Sequence, residues 1–147
     1  MNVEIGPRLK SGECHTLTSD QRVLVDRTGL YTYPDLLIVC GEEEWDPKDA
    51  DTLLNPKVIF EVLSPSTEKY DRGLKFRNYQ QIPSLMEYIL VSQDEALCER
   101  YLRQADGLWG LQSFEGLAAE LVLTSVPVRI PLGDIYNGVE FPEAAGR

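Results

Sequence analysis

Histidine is nearly absent from this chain. His15 is the only one, which weighs against imidazole-rich zinc sites and against any triad that needs histidine as its base. Cysteine is scarce as well. Cys14, Cys40 and Cys98 are odd in number, far apart and without a C-x-x-C pair, so they indicate neither a disulfide framework nor a thiolate metal motif, and they read as packing residues. Long apolar runs are missing: the longest aliphatic stretch, 36–39, is far too short to span a bilayer, and the N-terminus lacks the basic-then-apolar layout of a signal peptide. A cytoplasmic location with no membrane partner is the expectation. Basic residues are outnumbered 14 to 24, which leaves a formal net charge of −10. That field repels nucleic acid at long range and argues against tight nonspecific DNA binding. It leaves open a contact in which a divalent cation links carboxylates to phosphate oxygens.

What is present is the balance of a folded domain, 43% hydrophobic and 26% charged over 147 residues, and one domain spanning 1–147 is expected. Residues 21–25 and 35–40 read as strands of a hairpin around a turn containing Gly29. The stretch 41–51, with Glu42, Glu43, Glu44, Asp46, Asp49 and Asp51 around Pro47, reads as a solvated loop. In 57–63, Val58, Phe60 and Val62 fall on one side, while Ile59 and Leu63 flank Glu61 on the other. That pattern predicts a central strand buried on both faces. A helix is predicted over 67–81, opened by Glu68 and Asp71, carrying Lys75 and Arg77 later and closed by Pro83. A strand over 85–91 completes a strand–helix–strand unit with parallel strands. Segments 99–103, 109–114, 120–123 and 128–130 read as antiparallel additions. The fold class is α/β, a mixed sheet flanked by helices with extra antiparallel strands on the C-terminal side.

A carboxylate on a strand buried on both faces needs compensation, so Glu61 is the first candidate for chemistry. Two readings stay open. One is a salt bridge with Lys75 or an arginine. The other joins Glu61 to Asp35, at the head of the neighbouring apolar strand, in a pair suited to a hard cation such as magnesium, with carbonyl oxygens and water completing the shell. Lys75 lies four residues from both Asp71 and Tyr79, so the three can share a helical face. It is either half of a surface pair with Asp71 or an ammonium aimed at the water or the phosphate, oriented by Tyr79. Lys69, Arg72, Lys75 and Arg77 concentrate positive charge in this helix, either as a phosphate-contacting face or as a solvated surface.

Tyr33-Pro34-Asp35, Glu61-Val62-Leu63-Ser64-Pro65-Ser66-Thr67, Tyr70-Asp71-Arg72, Lys75-x-x-x-Tyr79, Pro83-Ser84-Leu85 and Glu87-Tyr88 occur in this order. Together they resemble the Uma-type restriction endonuclease family, a branch of the PD-(D/E)XK nuclease superfamily, from about Cys14 onward. The resemblance implies a restriction-endonuclease-like fold and hydrolysis of DNA phosphodiesters by metal-activated water. It implies Asp35 and Glu61 as metal ligands with the Val62 carbonyl nearby, Mg2+ or Mn2+ as the metal, and DNA as a weakly held, metal-assisted partner. The superfamily's usual lysine position, two residues after the glutamate, is Leu63 here, so Lys75 is implied as the catalytic lysine supplied from the helix, with Tyr79 beside it. The resemblance also implies a helical N-terminal segment of a few dozen residues, usual in the family, most of which is expected to be missing from this chain. A sheet face left open by that difference is expected to be covered by a homodimer. A catalytically inactive interaction module that keeps the nuclease fold is the alternative.

Overall fold

The aliphatic runs in the middle of the chain build the centre of a six-stranded sheet. A computed structural model describes residues 2–9 and 13–141. Its main sheet contains β1 (Cys14–Thr18), β4 (Leu36–Cys40), β7 (Val58–Val62), β8 (Glu87–Val91), β9 (Leu97–Arg103) and β10 (Trp109–Glu115), in the order β1-β4-β7-β8-β9-β10. β7 and β8 run parallel, and every other neighbouring pair is antiparallel.

Side-chain alternation on β7 sorts the interior into two clusters, because successive residues of a strand point to opposite faces. Val58 and Phe60 pack with Ile5, Leu121, Val128, Ile130 and Leu132. These come from α1 (Asn2–Ile5), β11 (Glu120–Val122), β12 (Arg129–Pro131), α4 (Leu132–Ile135) and the turn before β12. Ile59 and Leu63 pack on the other side with Phe76, Tyr79, Val23, Val25 and Leu53. Phe76 and Tyr79 belong to α3 (Leu74–Tyr79); Val23 and Val25 to β2 (Arg22–Val25); and Leu53 to β6 (Asp49–Leu53). The expected two-sided burial of the Glu61 strand is therefore observed. Arg103 fastens the helix end to the sheet, donating to the carbonyls of Gln80, Ile82 and Leu85. Among the described residues, no helix is long and apolar enough to cross a membrane.

Four expectations are corrected. The hairpin around Gly29 closes on β3 (Leu30–Thr32), not on 35–40. Tyr33-Pro34 then interrupts the pairing, since proline has no N–H to donate, and the chain enters the main sheet as β4. The acidic stretch is more than a loop: β5 (Trp45–Asp46) and β6 form a hairpin, and β6 pairs parallel with β2 in a four-stranded sheet ordered β3-β2-β6-β5. Some of its acids have partners, with Arg22 paired to Asp49 and His15 to Glu43. The 67–81 helix is broken at Gly73 into α2 (Glu68–Arg72) and α3. Finally, Cys14 and Cys40 are joined by a disulfide; they are opposite residues in the β1–β4 register, while Cys98 is free and buried.

Candidate active site

The register Leu36↔Phe60 between β4 and β7 sets the Pro34-Asp35 corner against the end of the central strand. Each carboxylate there is held by the other strand's backbone. The Asp35 N–H donates to Glu61 Oε1 at 2.9 Å, and the Val62 N–H donates to Asp35 Oδ2 at 2.7 Å. Asp35 is exposed, whereas Glu61 is only 2% exposed. The pair thus spans the boundary between solvent and core.

Lys75 reaches this corner from α3. Its ammonium forms an ion pair with Glu61 Oε2 and lies 3.5 Å from Asp71 Oδ1. Asp71 is itself buried, and the Tyr88 hydroxyl donates to its carbonyl at 2.9 Å, just before the break at Gly73. Of the two open readings for Lys75, the surface pair is removed, because the Lys75 side chain is 15% exposed and that of Asp71 4%. The idea of one basic helix face also changes. Lys75 turns inward and Arg72 is tied to Glu68 and Glu99, while Lys69 and Arg77 are exposed.

Burial pushes the Glu61 carboxyl up to about 7, against the downward pull of Lys75 and the Asp35 N–H, with the Asp35 carboxylate adding to the rise. Burial works against the charge on Lys75, but Glu61 and Asp71 more than offset it and hold the ammonium above its ordinary range. Lys75 is therefore a cation at neutral pH. Tyr79 sits behind Glu61 and is fully buried. Its hydroxyl lies 3.0 Å from Thr32 Oγ1 and donates to Glu61 Oε2 at 3.5 Å, and its ring centre is 5.9 Å from the Lys75 ammonium. Burial, reinforced by Glu61, keeps the phenol protonated. Tyr79 thus positions Glu61 more directly than it does Lys75.

Asp35, Glu61, Val62, Asp71 and Lys75 line one open cavity of about 350 Å³, together with Ser64, Thr67, Tyr33 and Tyr70. Ser64 and Thr67 share a 2.7 Å hydroxyl contact. Among the described residues, no three or more His, Cys, Asp and Glu side chains are grouped to hold a metal. The donor set is two carboxylates beside hydroxyl and peptide oxygens. All of these are hard oxygen ligands, and their chemistry fits magnesium or manganese better than a softer ion.

The Uma2 family, described as "Putative restriction endonuclease", matches residues 4–132. The chain belongs to the Uma2 family. It is 35% identical over 133 residues to the uncharacterized protein slr1290 of Synechocystis, covering 90% of this chain and 68% of that protein. It is 33% identical over 119 residues to Synechocystis sll1609, covering 81% of this chain and 65% of that protein. The crystal structure of a protein from Anabaena variabilis, described as a putative nuclease belonging to DUF820, shares its fold with a TM-score of 0.72 at 15% identity; the match covers 92% of this chain and 75% of that one. The mixed sheet of this Uma2 chain is thus the nuclease-like architecture that the sequence implied.

Cavity residues absent from the sequence-based candidates are Tyr33, Ser64, Thr67 and Tyr70. All four lie in the motifs that carry the family resemblance, which was the available signal. Thr32, which contacts Tyr79, lies outside those motifs, and nothing in the sequence pointed to it.

Proposed function

We propose that this Uma2 protein is a metal-dependent endonuclease that hydrolyses DNA phosphodiesters. The observation that carries the reading is the Asp35–Glu61 corner, with the Lys75 ammonium on Glu61 at the floor of an open cavity. Asp35 and Glu61, with the Val62 peptide beside them, would hold Mg2+ or Mn2+. A bound ion of this kind supplies the charge that activates a water and offsets negative charge on the phosphoryl group. The water oxygen forms a bond to phosphorus as the bond from phosphorus to the leaving sugar oxygen breaks; the water loses a proton and the leaving oxygen gains one. Lys75, held cationic, faces the accumulating negative charge and is suited to stabilising it rather than to acting as a base. Tyr79 and Asp71 hold Glu61 and Lys75 in register.

The test is cleavage of plasmid and single-stranded DNA in Mg2+ or Mn2+. Wild type is expected to cut only with metal. Asp35→Ala, Glu61→Ala and Lys75→Ala are each expected to lose on the order of 10²–10³-fold, the usual cost of removing one preorganised charge from a transition state. A folded wild type that cuts neither substrate would overturn the proposal. The Glu61–Lys75 ion pair favours one competing reading, because it satisfies the carboxylate without metal. A noncatalytic interaction module built this way would show Glu61→Gln shifting stability while leaving metal affinity unchanged.

A further inference from the structure

Two tyrosines at the mouth of the cavity are not absorbed by this mechanism. Tyr33 is 53% exposed and Tyr70 41% exposed, and both line the same cavity as Asp35, Glu61 and Lys75. By contrast, Tyr79, Tyr88 and Tyr136 are buried. Tyr33 comes from the β3–β4 connection and Tyr70 from α2, and the backbone of each is constrained. Tyr33 precedes the buried Pro34, which restricts its backbone to extended conformations. Tyr70 stands on α2 beside buried Asp71, whose carbonyl is held by Tyr88, and its ring centre is 5.9 Å from the Lys75 ammonium. A fixed aromatic ring offers a large contact area and has little conformational freedom to lose on binding.

The charges around the cavity limit what can bind there. Duplex recognition rests on many cations along two phosphate backbones. Here the chain carries −10, Arg72 is tied to Glu68 and Glu99, and Lys75, paired with Glu61, can face only the one phosphate at the carboxylates. Lys69 and Arg77 are the exposed cations left on this segment, too few for phosphate neutralisation to supply most of the affinity, and two exposed rings beside the carboxylates supply base stacking. Bases within a duplex already stack on each other and do not present their faces to a side chain; bases of an unpaired strand do.

We propose that the site takes an unpaired DNA strand, with Tyr33 and Tyr70 stacking on bases that flank the phosphate held over Asp35 and Glu61. This rests on the nuclease reading and names its substrate class. The test pairs two measurements on the full chain at low salt. Binding of a labelled single-stranded oligodeoxynucleotide and of its duplex is followed by fluorescence anisotropy with Ca2+, and cleavage of the same two molecules is followed with Mg2+.

Single strand is expected to bind and to be cut at least about ten-fold better than duplex. Tyr33→Leu and Tyr70→Leu are each expected to weaken single-strand binding about ten-fold, with Tyr33→Phe and Tyr70→Phe near wild type, because stacking needs the ring and not the hydroxyl. Equal use of duplex and single strand, or leucine variants that bind like wild type, overturns this inference and leaves the nuclease reading intact if cleavage is seen. Tyrosine-dependent single-strand binding without Mg2+-dependent cleavage upholds the stacking site and overturns the nuclease reading.

Discussion

Glu61 carries the clearest electrostatic conflict in the chain, since it is 2% exposed and pushed up to about 7 from an ordinary value of 4.5. A folded-state pKa above the unfolded one means that the folded protein holds this proton more tightly. The stability contributed by that proton is full below about 4.5 and is lost as pH rises through about 7. In metal-free protein, wild type should therefore lose about 2–3 kcal/mol relative to Glu61→Gln between pH 5 and pH 8, at about 1.4 kcal/mol per pKa unit. Urea midpoints of the two proteins at both pH values measure this, and a pH-independent difference would refute it. Glu61 was legible in the sequence because it breaks an otherwise apolar β-strand, and Asp35 because it opens an earlier apolar run directly after a proline. The Tyr79 contact with Thr32 was not, since the two are 47 residues apart and meet only because the β2–β3 hairpin packs against α3.

At the scale of elements, the strands with strong alternation or continuous apolar runs, β4, β7, β8 and β9, were readable from pattern alone. The helix break was not, although its cause is visible. Gly73 is the one residue of the segment without a side chain, and a Cβ there would stand 3.1 Å from the Lys69 carbonyl. β1 was also missed, and with it the partner of Cys40. The two cysteines are separated by 26 residues, and only the antiparallel β1–β4 register brings their Cα atoms to 4.0 Å. This bridge ties an edge strand to β4, which carries Asp35 at its head. Closing a loop of that length is worth about 3 kcal/mol through the unfolded chain. Cys14→Ser should lower unfolding stability by about that amount in the absence of reductant, and dithiothreitol should bring wild type down to the same midpoint. In a reducing compartment the pair would stand as two neighbouring thiols, so a midpoint indifferent to both treatments would show that the bridge contributes nothing to the fold.

At the scale of the whole molecule, association is the remaining expectation, and the structure moves it from a face to an edge. Both faces of the six-stranded sheet carry packed clusters among the described residues, so no open face requires a second copy. β10 is different: it ends the sheet, its sequence Trp109–Glu115 has one charged residue, and Leu108, Leu111 and Leu117 on or beside it are 65%, 53% and 56% exposed. Natural edge strands are usually blunted by lysine, proline or a bulge, because their unpaired N–H and C=O groups template another strand. The expectation is therefore a homodimer paired through β10, to be read as twice the 16.6 kDa chain mass in sedimentation at micromolar concentration. Each copy carries −10, so the two repel, and added salt should raise the dimer fraction by screening that repulsion. Leu111→Lys, at a position 53% exposed, should give a monomer with little change in thermal stability. A wild type that sediments as a monomer in high salt would remove β10 as an interface.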